Sequence, residues 1–173
     1  MTEVTPQTLI QRALVVEDQP ATREWLRGVL DGAFPGIDIV EAGTLGRGRE
    51  FIEQQPVDLA LIDLDLPDGS GISLIQELNL SAPATRTVVA TIYDDDEHVF
   101  PALRAGATGY LLKEQPQDVL MAMLRRIVSG EPPLSPAIAR RVLRFFAPSG
   151  PTAPPEHLSP REEEVLQLIA KGY

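Results

Sequence analysis

The chain reads as a doubly wound α/β fold: a five-stranded parallel sheet with helices on both faces. Two observations predict this. Five short apolar runs alternate with five segments of helical period, the pattern of repeated βαβ units. Two of the runs, Ala13-Leu14-Val15-Val16 and Leu59-Ala60-Leu61-Ile62, are apolar at every position rather than at alternate ones. Unbroken runs of four bounded by polar and turn residues belong to parallel strands covered on both faces.

The strands are expected at Ala13–Val16, Ile37–Ala42, Leu59–Ile62, Thr87–Thr91 and Gly109–Leu112. Pro20 opens the first helix at a position where the missing N–H costs nothing, and Trp25, Leu26, Val29 and Leu30 share one face. A second helix spans Leu45–Gln54, and a third carries Ile72, Leu74, Ile75 and Leu78. The fourth runs from Asp95 to Ala105, opened by acidic residues that favour a helix N-terminus. Val119, Leu120, Met123, Leu124 and Ile127 mark the fifth. Right-handed crossovers then leave few topologies for a domain over residues 9–130. Residues 131–157 read as a linker, with a short amphipathic helix at 136–146 followed by a proline-rich tether. At 158–173 Ser159-Pro160-Arg161-Glu162 supplies an N-cap, a proline and a capping-box glutamate for one more helix. Its apolar face, Val165, Leu166, Leu168 and Ile169, has no partner in the remaining sequence, so it reads as the incomplete start of a further domain.

Composition narrows the function. The 173 residues carry a net charge of −10, and residues 1–130 hold 20 acidic against 10 basic side chains. An acidic body offers no stripe for phosphate backbones and argues against unaided nucleic-acid binding. There is no cysteine, no signal-peptide pattern and no long apolar run, so the expectation is a cytoplasmic protein without a membrane segment. Only two of the 15 basic residues are lysines, Lys113 and Lys171. A compact ammonium does work that a planar guanidinium does not, which draws attention to Lys113.

Parallel strands share one carboxyl end, and open α/β sheets place their chemistry there. Glu17 and Asp18 follow the first strand, Asp63 the third, Thr91 closes the fourth and Lys113 follows the fifth. Carboxylates about 4–5 Å apart repel by roughly 3–4 kcal/mol per pair at an effective dielectric near 20. A hard cation such as Mg²⁺ relieves that repulsion. With Mg²⁺ and a lysine ammonium, such a site suits a phosphoryl group, whose transfer needs positioning and charge neutralisation. One carboxylate can then act as nucleophile and Thr91 can offer its hydroxyl. Asp68 and Ser70 read as turn or cap residues, His98 as a solvated helix residue, and Arg140, Arg141 and Arg144 as a solvated face.

These segments together resemble a two-component response regulator of the NarL/FixJ type. Val15-Val16-Glu17-Asp18 resembles the family's acidic pair, and Leu61-Ile62-Asp63-Leu64-Asp65-Leu66-Pro67 its phosphoacceptor segment. Val88-Val89-Ala90-Thr91 matches the switch hydroxyl, and Ala105-Gly106-Ala107-Thr108-Gly109-Tyr110-Leu111-Leu112-Lys113 the lysine segment with its switch aromatic. Leu158-Ser159-Pro160-Arg161-Glu162 resembles the opening of a LuxR-type helix-turn-helix. The resemblance implies a flavodoxin-like sheet of order 2-1-3-4-5 and phosphorylation on Asp63. It also implies Mg²⁺ held by Asp18 and Asp63 through side chains, by the Asp65 carbonyl, and by Glu17 through water. Lys113 would bind the phosphoryl group, while Thr91 and Tyr110 relay its presence. Glu114 stands where many members have proline, so a cis peptide is not expected there.

The resemblance further implies a sensor histidine kinase as partner, a phosphorylation-dependent homodimer, and DNA contact only in a longer parent chain. It makes the protein a signalling switch rather than an enzyme acting on separate substrates. Two rivals share some of these features. A haloacid-dehalogenase-type phosphatase would use Asp63-Leu64-Asp65, although that motif usually sits on a first strand. A phosphorylation-independent adaptor would carry the same pocket unused.

Overall fold

A computed structural model describes residues 9–146. The tether at 147–157 and the start of a helix-turn-helix at 158–173 lie outside the described residues. Five parallel strands form the main sheet: β1 (Arg12–Val16), β2 (Asp38–Ala42), β3 (Leu59–Ile62), β4 (Arg86–Thr91) and β5 (Gly109–Leu112). Their spatial order is β2-β1-β3-β4-β5, as expected. The helices are α1 (Pro20–Ala33), α2 (Leu45–Gln54), α3 (Gly71–Ser81), α4 (Asp96–Arg104), α5 (Gln117–Arg125) and α6 (Pro136–Phe146).

The all-apolar strands serve two cores at once. Val15, Leu59 and Leu61 point to one face, where Leu26, Val29 and Leu30 of α1 and Leu120 and Leu124 of α5 cover them. Leu14, Val16, Ala60 and Ile62 point to the other, against Leu74, Ile75 and Leu78 of α3 and Val99 and Ala102 of α4. Period-2 alternation across two apolar faces accounts for sequences with no polar position.

Two features were not anticipated. Asp65–Leu66 and Gly69–Ser70 pair as a small antiparallel hairpin between β3 and α3. The linker segment Pro133–Ser135 runs parallel along the open edge of β5. There Tyr110 donates its N–H to the Pro133 carbonyl at 2.8 Å and accepts from the Ser135 N–H at 3.0 Å. Two prolines made this stretch look unstructured, but pairing through one edge needs few of its own N–H groups. The approach is close: a Cβ on Gly109 would lie 2.5 Å from the Pro133 ring. Beyond the strap, Ile138 of α6 is fully buried in the α3/α4 core. Arg141, expected on a solvated face, instead pairs with Asp96 at 2.6 Å.

Candidate functional site

The parallel register brings the strand ends together. Asp63 donates its N–H to the Val16 carbonyl and Lys113 donates its N–H to the Thr91 carbonyl, each at 2.9 Å, so the residue just past β3 is tied to the end of β1 and the residue just past β5 to the end of β4. Asp63 is further fixed by the chain that follows. Gly71, the first residue of α3, donates to the Leu64 carbonyl at 3.0 Å, and a Cβ there would fall 2.0 Å from the Asp63 carbonyl oxygen. Only glycine permits that approach. The Asp63 side chain turns inward, with Oδ1 accepting from the Leu64 N–H at 2.8 Å.

Lys113 Nζ donates to Asp63 Oδ2 at 2.7 Å and makes a still shorter bond to Glu17 Oε2. The ammonium thus bridges two carboxylates on different strands. Glu17 is fully buried and Asp63 is 8% exposed. Burial pushes the Glu17 carboxyl above the usual range, partly offset by Lys113 and the Gln19 N–H. Burial alone would lower the Lys113 pKa; the hydrogen bonds and charge of Asp63 and Glu17 outweigh it, and the ammonium is held above its ordinary value.

Glu17, Asp18 and Asp63 each offer a carboxylate oxygen within 4.8 Å of the others. With one lysine the four groups carry a net formal charge of −2. A hard divalent cation takes oxygen ligands at about 2.0–2.1 Å and keeps several waters, so this donor set fits Mg²⁺. The Asp65 carboxylate stands apart from that group: it is exposed and accepts from the Tyr93 hydroxyl at 3.3 Å. The phenol of Tyr110 is buried and donates to the Tyr93 carbonyl at 2.8 Å. Burial, with the charges of Asp95, Asp94 and Asp63, raises its pKa far above the ordinary tyrosine value. Thr91 is fully buried, and its Oγ1 has no hydrogen-bond partner among the described residues. A buried hydroxyl without a protein partner is uncommon and keeps its capacity to donate a hydrogen bond.

Sequence reasoning missed several supporting groups. Arg23 Nη1 donates to the Glu17 carbonyl at 2.6 Å and to the Asp18 carbonyl at 3.3 Å, pinning the loop that carries the acidic pair. Its position, one turn into α1, was the available signal. His98, expected to be solvated, stacks on Tyr93 with ring centroids 4.2 Å apart and bonds Asp95. Asp68 behaves as expected of a cap but for a different helix, accepting from the Leu45 and Gly46 N–H groups at the start of α2.

Comparison with known proteins agrees with this architecture. Residues 13–125 match the model of the response regulator receiver domain. The transcriptional regulatory protein YxjL of Bacillus subtilis (strain 168) is 33% identical, the match covering 93% of this chain and 76% of that protein. The nitrate/nitrite response regulator protein NarL of Escherichia coli (strain K12) is 34% identical over 92% of this chain and 74% of its own length. Among solved structures, a LuxR-family two-component response regulator from Aurantimonas sp. SI85-9A1 superimposes with a TM-score of 0.69 at 26% identity, covering 78% of this chain and 96% of that one. A phosphatase is not favoured by any of these likenesses. Sheet order, family match and relatives converge: this chain belongs to the response regulator receiver domain family, among the NarL/LuxR-type regulators of transcription.

Proposed function

We propose that Asp63 is the phosphoryl acceptor of this receiver, and that Glu17, Asp18 and Asp63, with the Asp65 backbone carbonyl, hold Mg²⁺. The observation that carries the reading is a lysine bridging two buried carboxylates at the same sheet edge as a buried hydroxyl without a partner. A carboxylate oxygen of Asp63 forms a bond to phosphorus as the bond from phosphorus to the donor group breaks, and the donor leaves with that electron pair. Mg²⁺, when bound, supplies positive charge against the carboxylates and the phosphoryl oxygens. Lys113, protonated at neutral pH, turns from Asp63 toward a phosphoryl oxygen. Thr91 donates its free hydroxyl to another, gaining the partner it lacks. Movement of Thr91 then alters the packing of Tyr110, which belongs to the same buried cluster as Val99 and Ala102 of α4.

The chemistry takes place on the protein's own side chain, so the chain is a switch and not a catalyst for a separate substrate. A sensor histidine kinase is the donor that fits an aspartate acceptor, and the cytoplasm is the fitting compartment for that exchange. Phosphorylation drives self-association through the α4 or α5 face or through α6. Control of transcription passes through a C-terminal DNA-binding domain, whose opening motif residues 158–173 resemble.

Intact mass after incubation with Mg²⁺ and acetyl phosphate tests the reading. The wild type gains one phosphoryl group; Asp63→Asn gains none; Asp65→Asn still gains one, because only its carbonyl is used. Labelling that survives in Asp63→Asn, or steady phosphate release abolished by Asp65→Asn, overturns it.

A further inference from the structure

The hydroxyl of Ser135 is fully buried although the residue lies in the linker, outside the five-strand sheet. Its Oγ accepts from the Leu112 N–H at 3.0 Å and donates to Gln115 Oε1 at 2.8 Å. Leu112 is the last residue of β5, paired on its inner side with Thr91. Its N–H faces the open edge, where no further strand of the sheet receives it. Ser135 therefore stands in for a strand partner at the residue immediately before Lys113. Through Gln115 it also grips the loop just after Lys113. Both flanks of the ammonium-bearing residue are tied to one side chain of the linker.

The strap that delivers this hydroxyl is itself anchored. Tyr110 pairs with Pro133 and Ser135, Gly109 leaves room for the Pro133 ring, and the Ser135 carbonyl accepts from the Ala139 N–H to start α6. Ile138 and the Arg141–Asp96 pair hold the first turns of α6 against the α4 side. A well-seated strap fixes the β5 end; a loosened one leaves Leu112 with an unsatisfied buried N–H and frees the Lys113 backbone to shift.

We infer that Ser135 is a positioning residue for Lys113, so that the linker's docking on the β5 edge sets how readily the receiver takes up a phosphoryl group. The inference rests on the reading of Asp63 as acceptor and Lys113 as phosphoryl ligand. It makes the linker a working part of the phosphorylation site.

The test uses the 173-residue chain with Ser135→Ala and, separately, Gln115→Ala. The rate of phosphoryl gain from acetyl phosphate is followed by intact mass, and Mg²⁺ affinity by calorimetry. Misplacing a group that binds the transferring phosphoryl is expected to slow uptake about ten-fold. Mg²⁺ affinity is expected not to fall, because the cation's carboxylates follow β1 and β3 and loosening their Lys113 partner removes no ligand. Combining the two substitutions is expected to slow uptake no further than Ser135→Ala alone, since both break one chain of hydrogen bonds. A wild-type rate in Ser135→Ala overturns the inference. So does a parallel loss of Mg²⁺ affinity, which would mark a general structural defect. If Ser135→Ala fails to fold, Gln115→Ala decides: slowed uptake with intact Mg²⁺ binding supports the inference and an unchanged rate overturns it. A wild type that takes up no phosphoryl group while binding Mg²⁺ refutes the acceptor reading itself, a result distinct from any difference between variants.

Discussion

The two ends of the same sheet use polar side chains in opposite ways. At the amino end, Asp58 accepts from the Gln11 and Arg12 N–H groups at 2.8 and 2.9 Å, and the buried Thr85 hydroxyl donates to the Val57 carbonyl at 2.7 Å. Each side chain there completes the backbone around it. At the carboxyl end, three carboxylates crowd together with one ammonium bridging two of them, and the buried Thr91 hydroxyl has no hydrogen-bond partner among the described residues. A structural polar group is satisfied within the fold, whereas a functional one is left with capacity for something that arrives later. The same aspartate and threonine chemistry, at opposite ends of β3 and β4, completes the backbone at one end and keeps bonding capacity at the other.

If that contrast holds, substitutions should separate stability from ligand response. Lys113→Ala has the largest expected effect. It leaves Glu17 and Asp63 buried without a cation, which costs about 3–5 kcal/mol in metal-free buffer. Denaturant melts should show that loss, and Mg²⁺ should recover part of it. The sign with pH follows from the raised Lys113 pKa. Its contribution is complete below the ordinary lysine value of 10.5 and is lost as pH climbs through the higher folded value. The gap between wild type and Lys113→Ala should therefore close in strong alkali, and it should also narrow in acid as the Glu17 carboxyl, held above its ordinary value by burial, takes up a proton.

Asp58→Ala comes next. Two backbone donors lose their acceptor, and stability should fall by about 1–2 kcal/mol with or without Mg²⁺. Phosphoryl uptake per folded molecule should not change; an altered Mg²⁺ response here would erase the distinction between the two ends. Asp18→Ala should act in the opposite direction. With Lys113 shared by Glu17 and Asp63, Asp18 adds charge the lysine does not cancel. Its removal should raise the metal-free melting temperature by roughly a few degrees while abolishing Mg²⁺ stabilisation. A lower metal-free melting temperature would contradict the crowded-carboxylate account.

The smallest effect is expected from Asp68→Ala, a structural carboxylate placed near the functional end. Hydrogen bonds from Gly46 and Leu45 hold its pKa below the ordinary 3.8. Its stabilisation is thus complete above 3.8 and is lost as pH falls through the lower folded value. Thermal melts should show a slight deficit for the variant at pH 7 that vanishes in strong acid. A deficit unchanged by pH would mean the carboxylate charge is not what caps α2.

Much of this was legible from the chain alone, for identifiable reasons. Strands buried on both faces announce themselves by apolar runs, and parallel strands share a carboxyl end, so Glu17, Asp18, Asp63, Thr91 and Lys113 had to meet if the sheet formed. The partners lost to sequence reading are those joined by backbone groups across long separations. Asp58 caps residues near position 11, and nothing in its neighbourhood reveals that. Pro132 and Pro133 read as breakers, while pairing with the edge of β5 is a tertiary event that leaves no period. Ser135 looked like linker because a lone hydroxyl before a helix is common, and its bond to Leu112 depends on where the strap lies. The orphaned state of Thr91 is likewise a fact of three dimensions.

The most direct test of the central claim is the chemical identity of residue 63 after activation. The protein would be treated with acetyl phosphate and Mg²⁺, reduced with borohydride, and mapped by peptide mass spectrometry. Reduction of an aspartyl phosphate leaves homoserine in place of aspartate. The account predicts homoserine at position 63 and nowhere else, dependent on Mg²⁺ and lost in Asp18→Ala. Homoserine at Asp18, Asp65 or Asp58, or none at all in a protein shown to bind Mg²⁺, would contradict it.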